Sequence, residues 1–176
     1  MGPTEIFRPT FSRILAYALW ALLAFIAVSA VIGTDGTLRL RTIAGCLFVS
    51  VAVWLFYFRP YLEISDGGVH IVNPLRTVHI PWPAVKETYI RGSFHVSTTG
   101  ETVHSAYAAT IQNKRNNLGL AGEAKQVSDA RFDALADAGF LDDVRPEGAP
   151  VKQTWFSNGV IALSASFALL LVTFVI

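Results

Sequence analysis

Apolar residues gather in three uncharged runs, residues 14–32, 42–58 and 155–176, and between the second and third the hydrophobic period drops to two. As helices rising about 1.5 Å per residue the runs reach roughly 28, 26 and 33 Å, against a hydrocarbon core of about 30 Å. Each suffices to span a bilayer, so the pattern predicts a transmembrane hairpin over about 14–33 and 42–58 and a third span over 155–176. A signal peptide is the competing reading of the first run, because Val28-Ser29-Ala30 has the small residues of a cleavage site. The run exceeds the apolar length usual in signal peptides and a second follows almost at once, which favours a retained hairpin.

Residues 1–58 thus read as a tail and hairpin, 59–145 as a folded domain, 146–154 as a linker and 155–176 as the third span. In the domain, Leu62 and Ile64 alternate with Tyr61 and Glu63, and Val69 and Ile71 alternate with His70 after an Asp66-Gly67-Gly68 turn. Val78 and Ile80 alternate with His79 beyond an Asn73-Pro74 break, giving three short antiparallel strands. Pro81 and Pro83 bracket Trp82 and interrupt pairing; residues 85–91, 94–98 and 102–107 read as three more strands, with one further strand at 106–111. The polar stretch 112–126 reads as a loop. Ser128 then caps a helix whose first turn holds Asp129, whose buried stripe is Phe132, Leu135 and Ala136, and which ends at Gly139. The fold class expected is an α+β membrane protein, three transmembrane helices plus a small, partly open β-barrel plugged by a C-terminal helix.

Lysine and arginine set the orientation. Arg8 and Arg13 precede the first run, and Arg59, Arg76, Arg145 and Lys152 flank the domain, against Arg39 and Arg41 in the loop between the first two runs. The bias predicts a multi-pass protein of the plasma (inner) membrane with the N-terminus and domain cytoplasmic and the C-terminus outside. Trp54, Phe56, Tyr57 and Phe58 on one run, and Trp155 and Phe156 on another, read as interface anchors.

No acidic or basic residue lies inside a run, whereas a proton relay or transporter site leaves an ionisable group at membrane depth. The runs carry small residues instead. Ala18, Ala21, Ala24, Ala27 and Ala30 form an i, i+3 row, and Ala162, Ala165, Ser166 and Ala168 crowd the third run, so close helix approach is expected at positions such as Ala21, Ala24 and Ala165. Alanine abundance in membrane helices explains the same row without a partner.

A hydrophobic fraction of 52% and a charged fraction of 15% average two materials, and a net charge of +1 gives no field for nucleic acid. The lone Cys46, inside the second run, reads as a small apolar residue. His70, His79, His95 and His104 fall at polar strand positions and are expected on an outer sheet face; without an H-x-H or H-x3-H pair, a metal site is not expected. Neither a catalytic constellation nor a cofactor motif is present in the pattern. Asn116, Asn117, Leu118 and Leu120 put two leucines on a polar loop, where a protein contact is the expected reason for them.

The run Arg59-Pro60-Tyr61-Leu62-Glu63-Ile64-Ser65-Asp66-Gly67-Gly68-Val69, continued by Asn73-Pro74-Leu75-Arg76-Thr77 and Ile80-Pro81-Trp82, resembles the bacterial pleckstrin-homology-like (PH-like) domains of small actinobacterial membrane proteins. The resemblance covers about residues 59–142 with the preceding helical pair; the polar 112–126 loop and the third span depart from it. It implies a PH-like domain, in which Arg91, Lys114 and Arg115 would be the candidates for anionic headgroup contact, although a solvated face is the favoured reading of so few charges. In length and layout the chain is also similar to accessory subunits of actinobacterial respiratory supercomplexes of the cytochrome bcc-aa3 type. The expected function is a non-catalytic accessory or scaffold subunit of an integral membrane complex. The alternative is a free-standing membrane sensor that binds lipid headgroups or a peptide.

Overall fold

The computed structural model describes residues 2–110, 119–141 and 150–175. It divides into two units, one formed by Met1–Pro9 with Pro60–Trp155 and the other by Thr10–Arg59 with Phe156–Ile176.

The first unit is built on two antiparallel sheets. Strands β1 (Glu5–Phe7), β2 (Tyr61–Ser65), β3 (Gly68–Val72), β4 (Arg76–Ile80) and β8 (Lys152–Trp155) form one in the order β1-β2-β3-β4-β8. Strands β5 (Val85–Ile90), β6 (Ser93–Thr98) and β7 (Val103–Thr110) form the other. The alternation read from the sequence holds: Leu62, Ile64, Val69, Ile71, Val78 and Ile80 point inward from the first sheet and meet Phe94 and Val96 of the second. The single-turn helix Trp82–Ala84 turns the corner between the sheets, with Pro81 and Pro83 supplying fixed φ and no ladder donor.

The expected barrel is not closed. Both edges of the larger sheet carry short strands, β1 and β8, so the two sheets stack as an open pair rather than closing on each other. The expected separate strand at 106–111 is instead the second half of β7, whose register shifts opposite Ser93 and Phe94. Two further strands escaped the sequence reading. β1 lies in the N-terminal tail, pairing Phe7 with Leu62 and burying Phe7 in the core. β8 occupies the end of the expected linker and takes Trp155 into the sheet opposite Arg76, so the last apolar helix begins at Ser157 rather than at 155.

Helix α3 (Leu120–Asp137) covers the core. It begins eight residues before the expected Ser128 cap, at an N-cap of Gly119, and Ser128 is a fully buried mid-helix residue. The stripe is built from Ala121, Ala124 and Ser128 as well as the expected Phe132, Leu135 and Ala136, and small residues bring the helix close to the sheets. It ends as expected: Gly139 has φ +73°, its N–H reaches Ala136 O at 2.9 Å, and Phe140 N–H reaches Leu135 O at 3.1 Å, the paired bonds of a left-handed cap.

The second unit is helical: α1 (Thr10–Gly33), α2 (Gly36–Val53) continued by a π-turn at Trp54–Phe58, and α4 (Ser157–Val175). All three are long and apolar enough to cross a membrane. The turn between α1 and α2 is shorter than the expected loop of residues 33–41, because Arg39 and Arg41 lie within α2. α2 packs against both α1 and α4.

Candidate functional site

The residues of the recognised signature act first as joints within the sheet unit. Gly68, at φ +136°, stands so near β4 that a Cβ there would lie 2.2 Å from Ile80 O and 2.8 Å from Pro81 Cα. The indole N–H of Trp82 donates to Ser65 O at 2.8 Å, at the other side of the same turn. Asp66 pairs with Arg131 of α3, whose guanidinium also donates to the Gly2 and Pro3 carbonyls, so one arginine ties helix, turn and N-terminal strand together. Arg8 lies 4.7 Å over the Tyr61 ring and further fixes β1 to β2.

Asn73 joins the sheets. Its Nδ2 donates to Ser105 O at 2.9 Å and its Oδ1 accepts from Tyr107 N–H at 2.9 Å, so the side chain stands in for a strand on the β7 edge. Its own N–H bonds Arg76 O at 2.9 Å, closing the turn that holds it there. The β7 edge is thereby occupied where it would otherwise offer unpaired backbone.

The histidines do not converge. Glu63, His70, His79 and Lys152 form one row across β2, β3, β4 and β8 on the outer face, with the two imidazoles 5.8 Å apart and His70 Nδ1 4.0 Å from Glu63 Oε2. Burial, His70 and Lys152 lower the His79 pKa against the opposing pull of Glu63. His95 is stacked on Tyr89 at 5.2 Å, on the other sheet. His104 faces inward, contrary to expectation: it is 8% exposed while its neighbour Val103 is 51% exposed. Burial lowers its pKa, and Arg76 adds to this. Among the described residues no group of three or more His, Cys, Asp or Glu is placed to hold a metal ion.

Two clefts are lined by described residues of this unit. One of about 340 Å³ separates β5 from α3, lined by Lys86, Glu87, Lys125 and Asp133 among others, and Thr88 Oγ1 donates to Asp129 there at 2.6 Å. The other, of about 370 Å³, lies beside Arg131, between α3 and the N-terminal strand. Arg91 is exposed in the tight β5–β6 turn, where its carbonyl lies 3.2 Å from His95 Nε2. Lys114, Arg115, Asn116, Asn117 and Leu118 fall outside the described residues. Leu120 opens α3 and packs against the core, so it is no exposed loop leucine.

In the helical unit the small residues divide into two sets. Ala16, Ala30, Ala44, Gly159 and Ser166 are buried, with a Cβ on Gly159 only 2.3 Å from the Phe156 ring and 2.8 Å from Leu55. Ala18, Ala21, Ala24, Ala165 and Ala168 are exposed. At one end Arg39 donates to Thr34 O at 2.7 and 2.9 Å, and Arg41 donates to Thr173 O at 2.9 Å, so both serve carbonyls near helix C-termini. At the other end Tyr17, Trp20 and Phe58 pack as an aromatic triangle and Trp54 meets Phe156 at 5.8 Å.

Neither the curated proteins nor the solved structures contain a match to the chain. Residues 59–135 match the family model of the bacterial PH domain, a span that includes β2 to β7 and nearly all of α3 and leaves β1 and β8 outside it. The chain therefore carries a bacterial PH-like domain.

Proposed function

We propose that the chain is a non-catalytic accessory or scaffold subunit of a larger membrane protein complex, its helices packing among the spans of a host and its PH-like domain bracing the assembly. The observation that carries this reading is the division of small residues: the alanine face of Ala18, Ala21 and Ala24 on α1, with Ala165 on α4, is exposed, while the unit's own helices meet through other residues. Small residues on an open helix face permit the close backbone approach on which helix association in lipid depends. The host we propose is an actinobacterial respiratory supercomplex of the cytochrome bcc-aa3 type, on the similarity in length and layout.

The orientation we propose has the N-terminus and the domain in the cytoplasm. Pairing of β1 with β2 supports a common side for the two ends of the hairpin. The opposing charges, Arg39 and Arg41, are engaged with helix-end carbonyls, which gives them a structural reason to lie outside.

Gentle solubilisation and measurement of native mass, with identification of co-migrating chains, tests the reading. A large complex of fixed stoichiometry is the expected result; migration alone or as a small homo-oligomer overturns it. The second reading, a membrane-tethered sensor, is favoured by the cleft between β5 and α3, where β5, an outer strand of its sheet among the described residues, and a mixed set of charges offer a seat for an extended peptide.

A further inference from the structure

Charge in the helical unit is unevenly balanced. Residues 10–59 and 156–176 contain Arg13, Arg39, Arg41 and Arg59 but one acidic side chain, Asp35. Asp35 pairs with Arg39 at 3.1 Å, and Arg41 is held by Thr173 O and lies 4.9 Å over the Phe174 ring, so that end of the unit is internally satisfied. Arg13 belongs to the opposite end of α1, and Asp35, the one acidic side chain of its unit, is taken by Arg39. Its guanidinium lies 5.3 Å from the centroid of Phe58, and the Phe58 ring is itself packed on Tyr17 at 5.8 Å and Trp20 at 5.5 Å. Trp20 is fixed in turn by donating to Ser50 O at 3.3 Å.

A guanidinium lying against a ring face keeps its charge and its planar N–H edges, the part that recognises a phosphate. Tryptophan and tyrosine around it mark the depth of lipid headgroups, and basic sites between spans on such a level take anionic lipids. We propose that Arg13, held over Phe58 beside Tyr17 and Trp20, binds the phosphodiester headgroup of an anionic phospholipid. The site rests on the reading that the three helices span the bilayer. It uses residues of the helical unit, none of which belongs to the matched span 59–135. A lipid is favoured over a partner's carboxylate because the triangle is built from interface aromatics, and because Tyr17 remains 54% exposed beside the charge.

The test uses the full chain in nanodiscs of phosphatidylcholine containing a minor fraction of phosphatidylglycerol, with retained lipid measured by native mass spectrometry. The wild type is expected to retain phosphatidylglycerol in excess of its share, and Arg13→Gln to lower that retention about fivefold, the effect of one positive charge near the surface. Arg39→Gln, at the other end of the helices, is expected to leave retention unchanged, and Arg13→Lys to restore part of it. Equal retention of both lipids by the wild type, or a preference that survives in Arg13→Gln, overturns the site. Extraction of the chain from native membranes by alkaline carbonate overturns the spanning reading itself and removes the site with it.

Discussion

Gly68 and Ile80 approach so closely that a methyl group on Gly68 would sit 2.2 Å from the Ile80 carbonyl oxygen, at a backbone angle of φ +136° that side chains rarely adopt. Gly67, one residue earlier, has nothing nearer than Ser65 Oγ at 3.8 Å. The two glycines of one turn therefore differ in what they tolerate. Gly68→Ala is expected to destabilise the sheet unit by about 3 kcal/mol or more, through strain and displacement of β4, whereas Gly67→Ala stays within about 1 kcal/mol. Thermal unfolding of the full chain in micelles, followed by the near-ultraviolet signal of the aromatic core, reads both; equal effects at the two positions would refute the close approach.

Asn73 gives a second test, of the side chain that substitutes for a strand. Asn73→Ala leaves the Tyr107 N–H and the Ser105 carbonyl without that partner and is expected to destabilise by about 2 kcal/mol. Asn73→Asp keeps an acceptor for Tyr107 but turns a carboxylate oxygen toward the Ser105 carbonyl, and is expected to be at least as harmful. Hydrogen exchange at the Tyr107 amide should accelerate in both variants. Unchanged exchange there would show that the amide bridge does not hold the β7 edge.

What the sequence displayed, and what it hid, follows from the size of the signals. β2, β4 and β6 bury alternate residues over five or six positions, and β3 buries Val69 and Ile71 on either side of His70, so Leu62, Ile64, Val69, Ile71, Phe94 and Val96 announce their strands. β1 has three residues and too little length for a period, although Phe7 is a core residue. β8 is exposed at every position, so Lys152–Trp155 shows no alternation at all. The first half of α3 packs through Ala121 and Ala124, which carry too little apolar surface to mark a stripe, and Ser128 resembled a cap because it is small and polar. At the candidate sites the limits are similar. The alanine row was legible as spacing, but which members are exposed depends on the neighbours of each helix. Val103 and His104 exchange faces relative to expectation because β7 turns Tyr107 outward and Ala106 and Ala108 inward, a choice set by the sheet beneath rather than by either residue.

The outer row Glu63, His70, His79 and Lys152 is expected to make β8 sensitive to pH. The His79 pKa is lowered from its ordinary value of 6.5, chiefly by burial and then by His70 and Lys152, with Glu63 opposing. The folded chain thus binds fewer protons than the unfolded one over the range between the lowered and the ordinary value. The stability that depends on neutral His79 is complete above the ordinary value and is lost as pH falls through it toward the lowered one. Because His79 faces Lys152 in the β4–β8 register, protonation sets two cations opposite each other on a short exposed edge strand. Hydrogen exchange of the Lys152–Trp155 amides, corrected for intrinsic rate, is expected to rise between about pH 7.5 and about pH 5.5. His79→Gln should flatten the dependence; a pH response unchanged in that variant would assign it elsewhere.

The proposed orientation makes opposite claims for two turns. Thr99 lies in the exposed turn between β6 and β7, and Asp35 in the exposed turn between α1 and α2. In a Cys46→Ser background, cysteine substituted at each position is to be exposed to a membrane-impermeant maleimide in intact cells and again after permeabilisation. Asp35→Cys is expected to label in both conditions and Thr99→Cys only after permeabilisation. The reverse pattern would put the PH-like domain outside and make Arg39 and Arg41 the orienting charges, despite their engagement with Thr34 and Thr173. Labelling of both positions in intact cells would contradict a spanning hairpin, since β1 pairs with β2 and fixes both ends of that hairpin to one side.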